Sequence, residues 1–341
     1  MDVRARIVGL GKYLPERILT NSDLERLVET SDTWIQERTG VRERRIVADD
    51  ESSSTMAIEA ARDALAQAEI EPADIDLVIV ATTTPDGMFP SVASLVQHGL
   101  GAKRAGAFDI NAACVGFLSA LATASQFINS GTYQRVLVVG SEALSRMIDW
   151  KDRSTCVLFG DGAGAVVLEA SDRGGPLSFV LHSDGSGAQF LYAPGPCGPP
   201  ASTEKGTYYI AMEGAQVFKF AVHAMESAAR EAVQAASLDL DEIDLLVPHQ
   251  ANLRIINATA KALGIPPERA MINVDRYGNT SSASIPIALR EAWEQDRLHD
   301  GDRLLLVTFG GGLAWGAMVL EWVPLGPVPV AAGAARIASG S

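Results

Sequence analysis

The tightest limit on how this chain can fold is a passage that occurs twice. Residues 60–79, AARDALAQAEIEPADIDLVI, recur 168 positions later as 228–247, AAREAVQAASLDLDEIDLLV. Ala60, Ala61, Arg62, Ala64, Ala68, Ile75, Asp76 and Leu77 find identical partners, and most other positions keep their chemical kind. Two amphipathic helices can resemble each other by chance, but chance would not carry the Ile-Asp-Leu turn into the next strand as well. Each copy reads as an Ala-rich helix, a short acidic turn and a buried strand. The same offset sets Asn111 against Asn279 and Cys114 against Ser282. Each segment runs on as an apolar helix and then a strand, Arg135–Gly140 (RVLVVG) or Arg303–Thr308 (RLLLVT), followed by Ala163–Glu169 or Trp315–Glu321. Strands apolar along their whole length are covered on both faces, so the pattern predicts an α/β chain of two βαβ-type halves about a pseudo-dyad. The expected halves are 1–173 and 174–323, with Gly174–Thr207 as a Gly- and Pro-rich excursion and linker, and 324–341 as a flexible tail.

Between Ile110 and Gln134 there is no Asp, Glu, Lys or Arg. A helix there is apolar nearly all round and belongs inside a fold. The rival reading, a membrane span, is opposed by Asn111, Ser119, Thr123, Ser125, Gln126 and Asn129. If the helix starts just after Ala113, Cys114 lies in its first turn, where unpaired N–H groups and the positive end of the dipole stabilise an anion. Such a thiol is expected to ionise readily, and the thiolate is the attacking form. The plainer reading of a lone cysteine is a small buried hydrophobe.

Two further groups set that plainer reading aside. His249 directly follows the strand Asp244-Leu-Leu-Val-Pro248, at a carboxyl end, where open α/β folds hold their ligand-binding groups. Asn279 occupies the repeat position of Asn111, a turn ahead of a buried helix. Each has a structural reading when taken singly: a satisfied histidine, a turn asparagine. The duplication, however, brings both to the same face as Cys114. This set suits acyl transfer to sulfur, with Phe309-Gly-Gly-Gly-Leu313 offering backbone N–H groups to an oxyanion. His and Asn, both neutral donors, can then hold a second thioester carbonyl while its carboxylate leaves as carbon dioxide. Gly160-Asp-Gly-Ala-Gly164 is a weak nucleotide-loop signal, since it runs into a strand where such a loop opens a helix.

Composition narrows the partners. A formal charge of −14 argues against nonspecific binding to nucleic acid or to an anionic membrane. The three cysteines, 114, 156 and 197, form no metal-like or disulfide-like spacing, so no metal is expected and a reducing compartment is. The N-terminal Met1-Asp-Val-Arg-Ala-Arg lacks the long apolar core of a signal peptide, and the expected location is the cytoplasm.

Four segments together carry a resemblance. They are Asn-Ala-Ala-Cys-Val-Gly-Phe at Cys114, Pro-His-Gln-Ala-Asn-Leu-Arg at His249, Tyr-Gly-Asn-Thr-Ser at Asn279, and Phe-Gly-Gly-Gly-Leu-Ala-Trp-Gly from Phe309. In this the chain resembles the β-ketoacyl-acyl-carrier-protein synthase III family, the initiating condensing enzymes of bacterial type II fatty-acid synthesis. The likeness runs from about residue 3 to Trp322 in the family's order and spacing. It implies the thiolase fold, a duplicated five-layer αβαβα arrangement, working as a homodimer without a cofactor, coenzyme A thioester being a substrate. It implies Cys114 as acyl acceptor, His249 and Asn279 as the decarboxylation pair, and the N–H groups of Cys114 and Gly311 as the oxyanion hole. Trp34 would stack on the adenine of coenzyme A with Arg38 nearby and Arg153 on the other side. Lys219, Arg254 and Lys261 match a basic docking patch for acyl carrier protein, and the last two stand seven apart on one helix face. Phe89 resembles the residue that crosses the dimer to close the acyl pocket, beside Leu144, Met88 and Val115. Departures are Ala262 where members carry a second Lys, Val115 where Ala or Pro is common, and the tail after Trp322.

The implied reaction condenses a short acyl-coenzyme A with malonyl-acyl carrier protein. A second reading keeps the fold and hands the acyl group to an alcohol or amine in secondary metabolism; loss of the His/Asn pair would favour it, and both are present. A papain-like hydrolase shares the order Cys, His, Asn but needs a Cys-Gly-Ser-Cys-Trp signature that is absent. A non-catalytic carrier-binding scaffold would have lost its nucleophile, and Cys114 is intact.

Overall fold

The computed structural model describes residues 3–195 and 208–326. The chain opens with β1 (Arg4–Tyr13), then β2 (Arg17–Thr20) and β3 (Glu43–Ile46), paired around α1 (Asn21–Leu24) and α2 (Asp32–Thr39). It continues through α3 (Ser53–Ala68), β4 (Leu77–Ala81), α4 (Val92–Leu100), β5 (Gly106–Ile110), α5 (Gly116–Asn129), β6 (Arg135–Glu142) and β7 (Gly162–Ser171). The same plan returns in β8 (Gly175–Ser183), the short pair β9 (Leu191–Tyr192) and β10 (Ala211–Met212), α6 (Gly214–Ala235), β11 (Leu245–Pro248) and α7 (Leu253–Leu263). It closes with α8 (Val274–Tyr277), α9 (Ser284–Glu294), β12 (Arg303–Gly310) and β13 (Ala314–Glu321).

One sheet has the order β1-β7-β6-β4-β5 and the other β8-β13-β12-β11. In the second, the place of β5 is taken by a single parallel bridge between Leu246 and Ala270. Period-two alternation explains why the central strands are apolar throughout. Val136 and Val138 of β6 face the inner core, whereas Leu137 and Val139 face the outer helices. Leu304 and Leu306 of β12 divide from Leu305 and Val307 in the same way. Helices α3 and α4 cover the first sheet, α6 and α7 cover the second, and α5 and α9 fill the space between the sheets. The result is the expected αβαβα stack.

The repeated residues have repeated tasks. Asp76 accepts hydrogen bonds from the Gln134 and Arg135 amides at 2.9 and 3.0 Å, pinning the start of β6, and Asp244 accepts from the Arg303 amide at 2.8 Å to pin β12. Short 3-10 turns at Ala113–Val115 and Ser281–Ala283 open α5 and α9, and each contains a non-glycine residue with positive φ, Ala113 (47°) and Ser281 (49°). Backbone held in that region by its surroundings marks a place where the fold imposes geometry.

Two expectations need correcting. Gly174–Thr207 is not wholly excursion, because Gly175–Ser183 forms β8, the edge strand of the second sheet and the counterpart of β1. Its α6 side carries Ser178 and His182, which bond to the Ala232 carbonyl and to Glu231, while Phe179 and Leu181 on the other face are exposed, so no apolar-in, polar-out alternation marks it as a strand. Residues 196–207 lie outside the described residues. Residues 324–326, expected as the start of a tail, are held: Trp322 is buried, and the Arg6 guanidinium donates to the carbonyls of Pro324 and Gly326. The remainder, 327–341, is outside the described residues. Among the described residues no helix is long and apolar enough to cross a membrane.

Candidate active site

The two 3-10 turns meet where the halves face each other. Gly310 of β12 lies so close to Cys114 that an added Cβ would stand 2.9 Å from the Cys114 amide nitrogen. Gly140 of β6 is as close to Ser282, the partner of Cys114 in the repeat, with a 2.4 Å approach to its carbonyl oxygen. The Thr308 hydroxyl donates to the Cys114 carbonyl at 3.0 Å, fixing the turn from the second half. Any side chain at 310 would push the cysteine out of place, which is the packing reason for glycine there.

Cys114 opens into a cavity of about 1690 Å³ whose walls also carry His249, Asn279, Phe309, Gly310 and Gly311. Sequence reasoning expected a thiol that ionises readily. Instead, burial pushes it up to about 12, with the nearby Glu142 carboxyl acting in the same direction and a Ser281 hydrogen bond opposing. The sulfur keeps some surface open to the cavity but is ringed by protein, and desolvation there outweighs the first-turn field of α5.

His249 is buried at the end of β11, its ring 5.9 Å from that of Phe309. Its Nδ1 lies 2.6 Å from the Ser284 hydroxyl, while Nε2 has no partner among the described residues. Burial lowers its pKa to about 3, so the ring is neutral at working pH. Decarboxylation is therefore expected to show no acid limb near pH 6.5, the ordinary histidine value. A kcat/KM profile falling through that pH would contradict the assignment. The sign for stability is the same: below 6.5 the unfolded chain takes up a proton that the native state refuses, so acid destabilises down to about pH 3.

Asn279 Oδ1 accepts from the Ser281 amide at 2.8 Å, which identifies the oxygen end of the carboxamide. Its Nδ2 has no protein acceptor among the described residues and remains a free donor. Asn111 makes the same turn more loosely, its Oδ1 being 3.5 Å from the Ala113 amide.

Beneath the turn lies a group that sequence reasoning missed. Glu142 is fully buried, and among the described residues no cation acts on it. Its Oε2 accepts from the Thr83 amide at 3.0 Å and from the Thr83 and Thr84 hydroxyls at 2.9 Å. Its Oε1 is 2.9 Å from the Ser282 hydroxyl, which is also 2.9 Å from the Ala81 carbonyl. One hydroxyl hydrogen cannot serve both acceptors. A proton on Oε1 satisfies all three groups, and burial raises the Glu142 pKa in the same sense. The carboxyl group ties both halves together beneath the sulfur.

Comparison with known proteins supplies the family. Family models described as 3-oxoacyl-[acyl-carrier-protein] synthase III match residues 108–185, and its C-terminal part residues 233–322. A β-ketoacyl-[acyl-carrier-protein] synthase III from Symbiobacterium thermophilum is 54% identical over 321 residues, covering 93% of this chain and 97% of that protein. The chain belongs to the β-ketoacyl-acyl-carrier-protein synthase III family. Crystal structures of synthase III proteins from Thermus thermophilus and Aquifex aeolicus superpose with TM-scores of 0.89 and 0.88, at 49% and 48% identity. They cover 93% of this chain and 99% and 100% of their own. The fold is therefore that of this thiolase-type family.

The other sequence-predicted residues fall in three places. Arg38 and Arg254 line the cavity, and the Asn252 side chain, capping α7, donates to the Arg38 carbonyl at 3.1 Å. Trp34 and Arg153 are not on the wall; Arg153 lies over the Trp34 ring at 5.2 Å and Arg38 stands at 6.0 Å from it. Lys219 and Lys261 are exposed on neighbouring helices, with Arg254 over the Phe218 ring at 5.2 Å between them. Leu144 is buried in the wall, whereas Met88 and Phe89 are 67% and 87% exposed. Val115 is buried and off the wall.

Proposed function

We propose that the protein joins a short acyl group from coenzyme A to malonyl-acyl carrier protein, with loss of carbon dioxide, giving 3-ketoacyl-acyl carrier protein and initiating fatty-acid synthesis. One observation carries this reading: a single cavity holds Cys114 together with two neutral side chains whose donor atoms, His249 Nε2 and Asn279 Nδ2, have no partner among the described residues. Cys114 sulfur attacks the acyl thioester, and coenzyme A leaves as its thiol. The developing oxyanion takes the N–H of Cys114, which in a first turn has no intrahelical acceptor, and that of Gly311. Malonyl thioester then enters. Its carbon–carboxylate bond breaks, carbon dioxide departs, and the electron pair moves onto the thioester oxygen held by His249 and Asn279. The enolate carbon attacks the acyl-Cys114 carbonyl, the carbon–sulfur bond breaks, and the sulfur leaves as a thiolate that takes a proton from water.

Coenzyme A is assigned to Trp34, Arg38 and Arg153. With Arg153 packed on the Trp34 ring, adenine enters only when that cation swings aside. Carrier protein is assigned to Lys219, Arg254 and Lys261. Replacing Arg254 by Ala is expected to raise KM for malonyl-carrier protein about tenfold, with the effect shrinking at high salt. An unchanged KM at low salt would remove Arg254 from the docking site. A homodimer is assigned to the free edge of β5. Asp109 of that strand accepts from the Val92 and Ala93 amides at 2.8 and 2.7 Å, holding the loop that presents Phe89 to a partner. The substrates place the reaction in the cytoplasm, and no cofactor is needed. The halves 1–173 and 174–323 are each one copy of the duplicated unit.

The reading is tested by supplying acyl-coenzyme A and malonyl-carrier protein and measuring carbon dioxide. It requires one carbon dioxide per 3-ketoacyl product. Acyl transfer to an alcohol or amine without carbon dioxide would replace it with the secondary-metabolism alternative, which the intact His249 and Asn279 do not favour.

A further inference from the structure

A neutral imidazole carries its one hydrogen on either ring nitrogen, and only one choice makes His249 a donor to a substrate carbonyl. We propose that Ser284, the first residue of α9, is the positioning residue that selects it, holding the hydrogen on His249 Nε2. This rests on the decarboxylation role given to His249 above. The Ser284 oxygen is 2.6 Å from His249 Nδ1 and also accepts from the Gln250 amide at 3.4 Å. Among the described residues the hydroxyl hydrogen has no other acceptor than Nδ1. Were Nδ1 protonated, the serine oxygen would face two donors and its own hydrogen would be buried without a partner, since Ser284 is 2% exposed. With Ser284 donating, each of these groups is satisfied except Nε2–H. That atom is fully buried, has no partner among the described residues, and belongs to a ring in the cavity wall.

The neighbours offer nothing that could choose the tautomer instead. Phe309 meets the ring through an aromatic edge, and the Gln250 side chain is engaged with Pro248 and Met271 carbonyls and the Asn273 amide. The nearest buried carboxyl assigned to the site, Glu142, is bound to Ser282, Thr83 and Thr84. The serine thus does for this histidine what a carboxylate or carbonyl does for many catalytic imidazoles, with the hydrogen-bond direction reversed.

The test is a nitrogen-15 NMR spectrum of histidine-labelled enzyme, with the His249 signal identified by its loss in His249→Ala. The expected result is a protonated Nε2 and an acceptor Nδ1. In Ser284→Ala the signal is expected to move toward the other tautomer, and malonyl-carrier decarboxylation to fall about tenfold or more, while acylation of Cys114 keeps its rate. Ser284→Thr, which retains the hydroxyl, is expected to restore the tautomer. A wild-type ring protonated at Nδ1 overturns the proposal without recourse to a Ser284 variant. So does a Ser284→Ala enzyme whose tautomer and decarboxylation are unchanged. Because the spectrum is read without substrate, failure of the condensation reading would not disturb it.

Discussion

Cys114→Ala enzyme mixed with acetyl-coenzyme A is expected to keep its unmodified mass, while the wild type gains one acetyl group. The argument is that no other thiol can take the place of this one among the described residues. Cys156 is buried in a separate cluster with Leu24, Ile35 and Ile256 and is not part of the cavity wall. Cys114 alone sits beside a helix start, a glycine strand end and a cavity open to an acyl carrier. Condensation is expected to fall by at least about 10³-fold, the scale on which loss of a covalent nucleophile registers. A persisting adduct on the alanine variant would move the nucleophile elsewhere.

His249→Ala and Asn279→Ala are expected to separate the two stages. Both should accept the acetyl group on Cys114 at the wild-type rate, since neither is assigned to the acylation oxyanion. Each should lose about 10²–10³-fold in carbon dioxide release, the usual effect of removing one preorganised donor to a developing oxyanion. Because the two donors hold one oxygen, the double variant should fall by less than the product of the single losses. Loss of acylation in either single variant would mean that the residue serves the first stage, and the proposed division of labour would fail.

The sequence carried much of this because duplication writes the same physical demands twice. Asp76 and Asp244 are identical since each must cap the start of a neighbouring parallel strand, and the central strands are apolar since helices cover both faces. Cys114, His249 and Asn279 were readable because each sits at an element end whose position the repeat defines. Glu142 was not. It ends an otherwise apolar strand, and its meaning depends on Ser282, 140 residues away in the other half. Ser284 was hidden among the small polar residues Thr280, Ser281 and Ser282, and the positive φ at Ser281 decides which of them faces His249. The readily ionised thiol expected at Cys114 failed because desolvation is set by the whole fold, and a local motif reports only the helix field. β8 escaped notice as an edge strand whose outer side is half exposed.

The most direct test is a single turnover. Enzyme acylated on Cys114 and freed of coenzyme A would be mixed with malonyl-carrier protein, following adduct mass, carbon dioxide and 3-ketoacyl-carrier protein together. One convergent site predicts that the adduct disappears at the rate at which the other two appear, one for one. Carbon dioxide released while the adduct remains, or an adduct discharged to water without ketoacyl product, would contradict it.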